Sequence, residues 1–244
     1  MENNTSLAVS EQKQRTNTIK RAFTAASENQ SIYTYHMKAY AGTDDGGHAL
    51  YYYQDTDENG NTVRKTTTSF SGADYYLCGT ALPSVYGGFG TKLQWREFDF
   101  SVDFTYQLGG KVLDTDYMTL MTAPSSGHRG YAIHKDALDS WTAERPTDIP
   151  VWQYMEGEND GVSDRWLTSA SCLTLQNLNF GYSLPGNITR KIGIERVRFY
   201  LNCDNLATWS KRKGLDPRQS INGETTNAFY APIRTVSGGI NVTF

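Results

Sequence analysis

No stretch of the 244 residues approaches the roughly 18 consecutive apolar residues of a membrane-spanning helix. Nothing in these residues therefore resembles a membrane-spanning helix. That leaves a barrel open, because barrel strands cross with only about 9–11 alternating residues. Cysteine is scarce: Cys78, Cys172 and Cys203 are odd in number and far apart. They give neither a metal-spacing motif nor a disulfide framework, and Cys172 and Cys203 would meet only if their strands paired. The four histidines, His36, His48, His128 and His134, are scattered and form no metal or catalytic pair. Basic charge is spread out, with 23 basic and 26 acidic residues and a net charge of -3. This excludes a nucleic-acid footprint and a polybasic membrane anchor. Gly-x-Ser-x-Gly, His-Glu-x-x-His and phosphate-cradling motifs are missing, so the sequence offers no enzyme and calls for no cofactor. The polar start Met1-Glu-Asn-Asn-Thr-Ser6 has no basic n-region or apolar h-region, so a secretory signal is not expected in it.

What is abundant is tyrosine (16), phenylalanine (10) and glycine (22), in a chain only 38% hydrophobic. The aromatics fall in alternating runs. In the closing stretch Val236, Ile240, Val242 and Phe244 share one parity, while Thr235, Ser237, Asn241 and Thr243 share the other. A period of two marks a strand with one apolar and one polar face. Phe98, Phe100, Val102, Phe104, Tyr106 and Leu108 alternate just as cleanly with Asp99, Ser101, Asp103, Thr105 and Gln107. Phe89, Leu93 and Trp95 lie on the opposite parity, so a tight turn near Arg96-Glu97 returns both apolar faces to one side of a hairpin. Leu173 to Tyr182 changes parity between Leu175 and Leu178, which predicts a bulge or twist. Further strands are expected over 33–41, from Ala49 to Tyr53, and from Val197 to Cys203. Residues 1–30 read as a polar loop or short helix, 54–86 as a long loop with at most one hairpin, and 207–232 as loop. Asp136 to Trp141 is expected to make a helical turn or two.

Connector lengths then alternate: short (43–47), long (54–86), minimal (96–97), very long (109–168), shorter (185–195), long (207–232). Short turns at one end and long loops at the other are the asymmetry of an outer-membrane barrel. The predicted fold is therefore all-β, an antiparallel up-and-down transmembrane β-barrel segment of seven strands, incomplete as a barrel, over 31–244. Amphipathic strands with exposed aromatics also suit a soluble β-sandwich that binds carbohydrate. The two differ in where the apolar face points.

Several smaller patterns read as surface. Asp55-Thr-Asp-Glu-Asn-Gly60 resembles the front half of a calcium-binding EF-hand loop, but the twelfth position is Thr66 where a bidentate Glu is needed, so the Asp55–Asn61 loop reads as a polar turn. Glu156-Gly-Glu-Asn-Asp-Gly161 reads as a solvated acidic loop. Asn4, Asn187 and Asn241 sit in Asn-x-Ser/Thr sequences that read as chance.

Several ordered motifs resemble the carboxy-terminal portion of SusC/RagA-type TonB-dependent outer-membrane transporters. They are Tyr86-Gly-Gly-Phe89 with the Phe98–Leu108 arm and Gly109-Gly-Lys-Val-Leu-Asp114, and Trp141-Thr-Ala-Glu-Arg-Pro-Thr-Asp-Ile-Pro150. The stretches Leu173-Thr-Leu-Gln-Asn-Leu-Asn-Phe-Gly-Tyr-Ser-Leu-Pro185 and Asn205-Leu-Ala-Thr-Trp-Ser-Lys-Arg-Lys-Gly-Leu-Asp216 and the closing strand complete the set. The resemblance implies part of a large barrel; 22-stranded transporters of this kind have a plugged lumen. It implies import of glycans, oligosaccharides or peptides, powered by the TonB complex through a part that this chain lacks. It also implies a SusD-like surface lipoprotein over the extracellular mouth. Seven strands enclose no such lumen, so the chain, a fragment or truncated product on this reading, is not expected to transport alone. Phe244 would then be the signal read by the barrel-assembly machinery, and Trp95 part of an aromatic girdle in outer-membrane lipid. Trp141, Trp152 and Trp166 would be candidate contacts to substrate or to the lipoprotein cap.

Overall fold

The computed structural model describes residues 31–124, 132–154, 157–219, 223 and 232–244. The stretch 1–30, with Asn4, and also His128 and Glu156 lie outside the described residues. The described residues hold twelve strands: β1 (Thr34–Lys38), β2 (Tyr40–Thr43), β3 (Ala49–Thr56), β4 (Thr62–Thr67), β5 (Tyr75–Thr80), β6 (Val85–Trp95), β7 (Phe98–Leu108), β8 (Lys111–Leu113), β9 (Leu167–Ser169), β10 (Cys172–Ser183), β11 (Arg196–Ser210) and β12 (Thr235–Thr243). The chain divides into two compact units rather than one continuous segment.

The first unit takes in described residues up to Ala81, together with Val112–Thr168 and Gly223. Its sheets are small: β1 pairs with β5, and β2, β3 and β4 form an antiparallel meander. Helix α1 (Thr115–Met121) begins where the Asp114 side chain accepts a hydrogen bond from the Tyr117 backbone N–H at 3.0 Å, satisfying one orphan donor of the first turn. Tyr35, Met37, Leu113, Met121, Ala137 and Trp166 form its larger core, and Ala49, Tyr51 and Ala73 a smaller one. The expected helical turn near Asp136 is a 3-10 segment, Lys135–Asp139. Two expectations change here. The span 54–86 is mostly strand, because β4 is recruited by pairing with β3 and β5 by pairing with β1. The first two expected strands, β1–β2 and β3, lie in this unit, not in the long sheet.

The second unit holds Leu82–Lys111 with 169–219 and 232–244. It is a five-stranded antiparallel sheet in the order β6-β7-β10-β11-β12, so every strand pairs with its neighbours along the chain within the unit. Arg96 and Glu97 alone join β6 to β7, with Trp95 opposite Phe98 and Arg96 at a left-handed φ of 54°. The parity change in β10 is a bulge: register shifts between Leu175 and Asn177 against both neighbours. Gln176 takes up the extra position and returns the strand's apolar residues to one face. On β11 the facing irregularity contains Asn205 at φ 51°. Beyond it β11 continues to Ser210, well past the expected end at Cys203.

Candidate functional site

The five-stranded sheet presents two surfaces of opposite character. Register puts Phe89, Leu93 and Trp95 of β6, alternate residues Phe98 to Leu108 of β7, and Leu173, Leu175, Leu178, Phe180 and Tyr182 of β10 on one face. Phe199, Leu201, Cys203 and Trp209 of β11 and Val236, Ile240 and Val242 of β12 continue it. In water such residues would be buried, yet Phe89, Leu93, Trp95, Val236 and Ile240 are each more than half exposed. A sandwich would cover this face with a second sheet; among the described residues this unit holds no sheet that does so.

Aromatics mark both ends of that face. At the end with the two-residue turn, Trp95, Phe98, Tyr182 and Phe199 lie in one row across four strands. Ring centroids are 6.4 Å apart for Trp95–Phe98 and 4.7 Å for Phe98–Tyr182. At the other end Tyr106 and Trp209 flank Leu173. From Phe98 to Tyr106 is about 27 Å along the strand, or about 20 Å along the membrane normal at barrel tilt. That is close to the roughly 25 Å apolar band of an outer-membrane wall between its aromatic girdles.

The opposite face is polar and internally bonded. Arg198 on β11 donates from Nε to Asp99 Oδ1 at 3.0 Å and from Nη2 to Oδ2 at 2.5 Å. Asn177 donates to Asn202 Oδ1 at 3.0 Å and Asp204 Oδ1 at 2.7 Å, and Asn202 donates to Asp204 Oδ2 at 2.9 Å. The two bulge residues meet, Gln176 donating to Asn205 Oδ1 at 3.1 Å. After β11, Asp216 accepts two bonds from the Arg218 guanidinium, at 2.9 and 2.6 Å. Burial alone would raise the Asp216 carboxyl; the Arg218 bonds outweigh it and hold it below the usual carboxylate range. Tyr86, Thr105, Gln107, Cys172 and Arg218 line part of a cleft of about 270 Å³ at the long-connector end. Cys172 faces Ser210, and Cys203 faces Leu178 on the other surface. Although their strands pair, the two thiols cannot meet, and all three cysteines are free. The surface can line a wet passage and hold polar ligands.

The connectors of this sheet sort by length. The turn 96–97 and the connector 184–195 leave from one end, 109–171 and 211–234 from the other.

No protein-family model matches the chain. It is 28% identical over 215 residues to the TonB-dependent receptor P3 of Formosa agariphila, matching 84% of this chain and 20% of that protein. It is 27% identical over 178 residues to the TonB-dependent receptor SusC of Bacteroides thetaiotaomicron, matching 69% of this chain and 17% of that one. Among solved structures, the RagAB peptide importer in its closed-closed state superposes with a TM-score of 0.71 at 27% identity. The match covers 86% of this chain and 23% of that one. The chain is similar to the SusC/RagA-type TonB-dependent receptors. Such receptors are outer-membrane β-barrel proteins, and the five-stranded sheet is a partial barrel wall. The chain spans about a fifth of the length of the curated relatives it matches.

Three tryptophans were expected at a ligand or a cap. Trp166 is 2% exposed in the core of the first unit and donates from Nε1 to Gly161 O at 3.0 Å, so its ring is not offered to a ligand. Trp152 is half-buried against the same core. Trp141 lies over Gly47 (φ 81°), where a Cβ would come within 2.5 Å of its ring. Phe244 is 88% exposed past the end of β12.

The acidic stretches are structural. Asp57 Oδ1 caps the turn by accepting from the Asn59 and Asn61 backbone N–H groups, and Asp55 pairs with Lys65 at 2.6 Å. The stretch expected as a solvated loop is woven into the first unit. Asn159 is 3% exposed and accepts from the Ala49 N–H at 2.8 Å, and Asp160 accepts from the Ala123 N–H at 2.8 Å. In the same unit, burial pushes the Tyr40 hydroxyl up to about 12 despite the neighbouring Arg165. Sequence reasoning missed the Asp99–Arg198 pair and the Asp216–Arg218 pair. Asp-Pro-Arg at 216–218 carried a local signal for the second; the first had none.

Proposed function

We propose that this chain forms part of the wall of an outer-membrane importer for oligosaccharides or peptides. In this reading its apolar face is covered by outer-membrane lipid and its polar face lines the passage. The long connectors stand on the extracellular side, where a SusD-like surface lipoprotein caps the mouth. The TonB complex supplies energy through parts of the receptor that these residues do not match. The barrel-assembly machinery inserts the wall, with Phe244 as its signal. Five strands close no lumen, so import is a property of the whole receptor.

One observation carries the reading: a five-stranded up-and-down sheet whose exposed face is an apolar band between two aromatic rows. Among the comparisons, what supports it is the likeness to a structure described as a peptide importer.

The test uses an antibody to the 109–171 connector on the outer-membrane fraction of the source cells. A band far above 27.3 kDa that co-purifies with a surface lipoprotein is expected. A band near 27 kDa, or none in that fraction, withdraws import for this polypeptide.

A further inference from the structure

Three basic residues in succession, Lys211, Arg212 and Lys213, follow β11 immediately. The chain as a whole carries a net charge of -3, and no acidic residue lies between Asp204 and Asp216. Lys211 and Lys213 are exposed, and neither makes an ion pair or hydrogen bond among the described residues. The nearest carboxylate in sequence, Asp216, is already held by Arg218.

The turn that carries them is built. Ser210 Oγ lies 2.8 Å from Arg212 O and 2.7 Å from Leu215 O, and the Leu215 N–H donates to Arg212 O at 3.2 Å. Gly214 takes the left-handed φ of 89° that closes the turn. The cations are therefore presented on a defined support.

Their position is fixed by Trp209. That ring is 53% exposed on the apolar face, in the row that ends the band on the long-connector side. Lys211 lies two residues further, just past the end of β11 and so at most about 7 Å along the chain from Trp209. Each polar headgroup layer is roughly 5–8 Å deep, from a core of about 30 Å and a full thickness of about 40–45 Å. The lysines thus fall at headgroup depth. The opposite end differs, because Arg96, Arg190, Lys191 and Arg196 are interspersed there with Glu97 and Glu195.

We propose that Lys211 and Lys213, with Trp209 beneath them, bind the phosphate of an anionic lipid headgroup in the outer leaflet. The site rests on the wall reading above. Lipid phosphate is favoured over soluble anion because the cations follow within four residues of a tryptophan exposed on the apolar face.

The test compares the full chain in vesicles of phosphatidylcholine alone with vesicles of phosphatidylcholine carrying lipid A, scored by flotation. Wild type is expected to favour the lipid A vesicles, and K211Q/K213Q to lose about five-fold of that preference per charge. R190Q/K191Q, at the other girdle, is expected to keep it. An unchanged preference in K211Q/K213Q, or an equal loss in R190Q/K191Q, overturns the site. Inorganic phosphate at matched ionic strength is expected to leave the preference intact; its disappearance would reassign the site to free anion. Entry into both vesicle types without preference removes the headgroup site and keeps the wall. Failure to enter either removes both.

Discussion

Asp99 and Arg198 sit on strands that do not pair, yet their side chains join by two bonds above Gly181 of the strand between them. A Cβ on Gly181 would come 2.3 Å from Asp99 Oδ1 and 2.4 Å from Arg198 Nη2. The glycine is the gap through which a three-strand tie is made.

Gly181→Ala should therefore break the pair without touching either charge. The expected loss is roughly 1–2 kcal/mol, given that the pair is partly exposed. In the D99N background the alanine should cost much less, because no tie remains to be lost. Denaturant unfolding of the detergent-folded chain measures both; equal costs in the two backgrounds would refute the coupling.

Asn205, at φ 51°, tests the bulge. Asn205→Gly should be nearly neutral, since glycine adopts that conformation freely and only the Gln176 bond is lost. Asn205→Val should cost more than about 1 kcal/mol, because a β-branched residue is strained there. Deleting Gln176 is more severe. Without the extra position Leu173 and Leu175 would turn to the polar face, and folding into detergent should fail.

Brominated lipids read the placement of the tryptophans. Trp95 and Trp209, exposed in opposite aromatic rows, should be quenched most by bromines near the headgroup. Trp166 should be untouched by any bromine position, since it is buried in its own unit. Single-tryptophan variants separate the signals, and quenching of Trp95 by mid-chain bromines would move the girdle.

The Asp216–Arg218 pair predicts an acid-sensitive turn. The Asp216 carboxyl is depressed when folded, so its contribution is complete above the ordinary carboxylate value of about 3.9 and is lost as pH falls through the folded value. The Arg218 amide, bonded to Asp216 Oδ1 at 3.0 Å, should keep a constant exchange-protection factor from neutral pH to about pH 5 and lose it below about pH 4. Asp216→Asn should lower protection throughout and flatten the profile.

Deleting Phe244 in the full-length parent should reduce outer-membrane insertion, measured as folded barrel in the membrane fraction. Unchanged insertion would end its role as an assembly signal.

The wall was legible where sequence spacing and structure share a period. β7 alternates without a break, the Arg96-Glu97 turn follows from a parity flip, and the β10 bulge follows from another. β4 was not legible: Thr-Val-Arg-Lys-Thr-Thr is polar on both faces, and only its pairing with β3 makes it a strand. The far half of β11 was hidden by Asn205, whose irregularity breaks the alternation. Trp166 looked like a loop aromatic because its packing partners are distant in sequence, Tyr35 among them. The tie between Asp99 and Arg198 spans 99 positions, and no local pattern announces it.

The two-residue turn and the 211–234 connector leave opposite ends of one sheet, and this fixes where the chain tolerates redesign. An insertion at Arg96-Glu97 would unset the hairpin and move every pair from Trp95↔Phe98 upward. The connector 211–234 leaves from the other end, and beyond the bonded turn at 210–218 a longer loop adds little closure cost. A grafted epitope or a new recognition loop belongs at that end, where the wall serves as a fixed chassis.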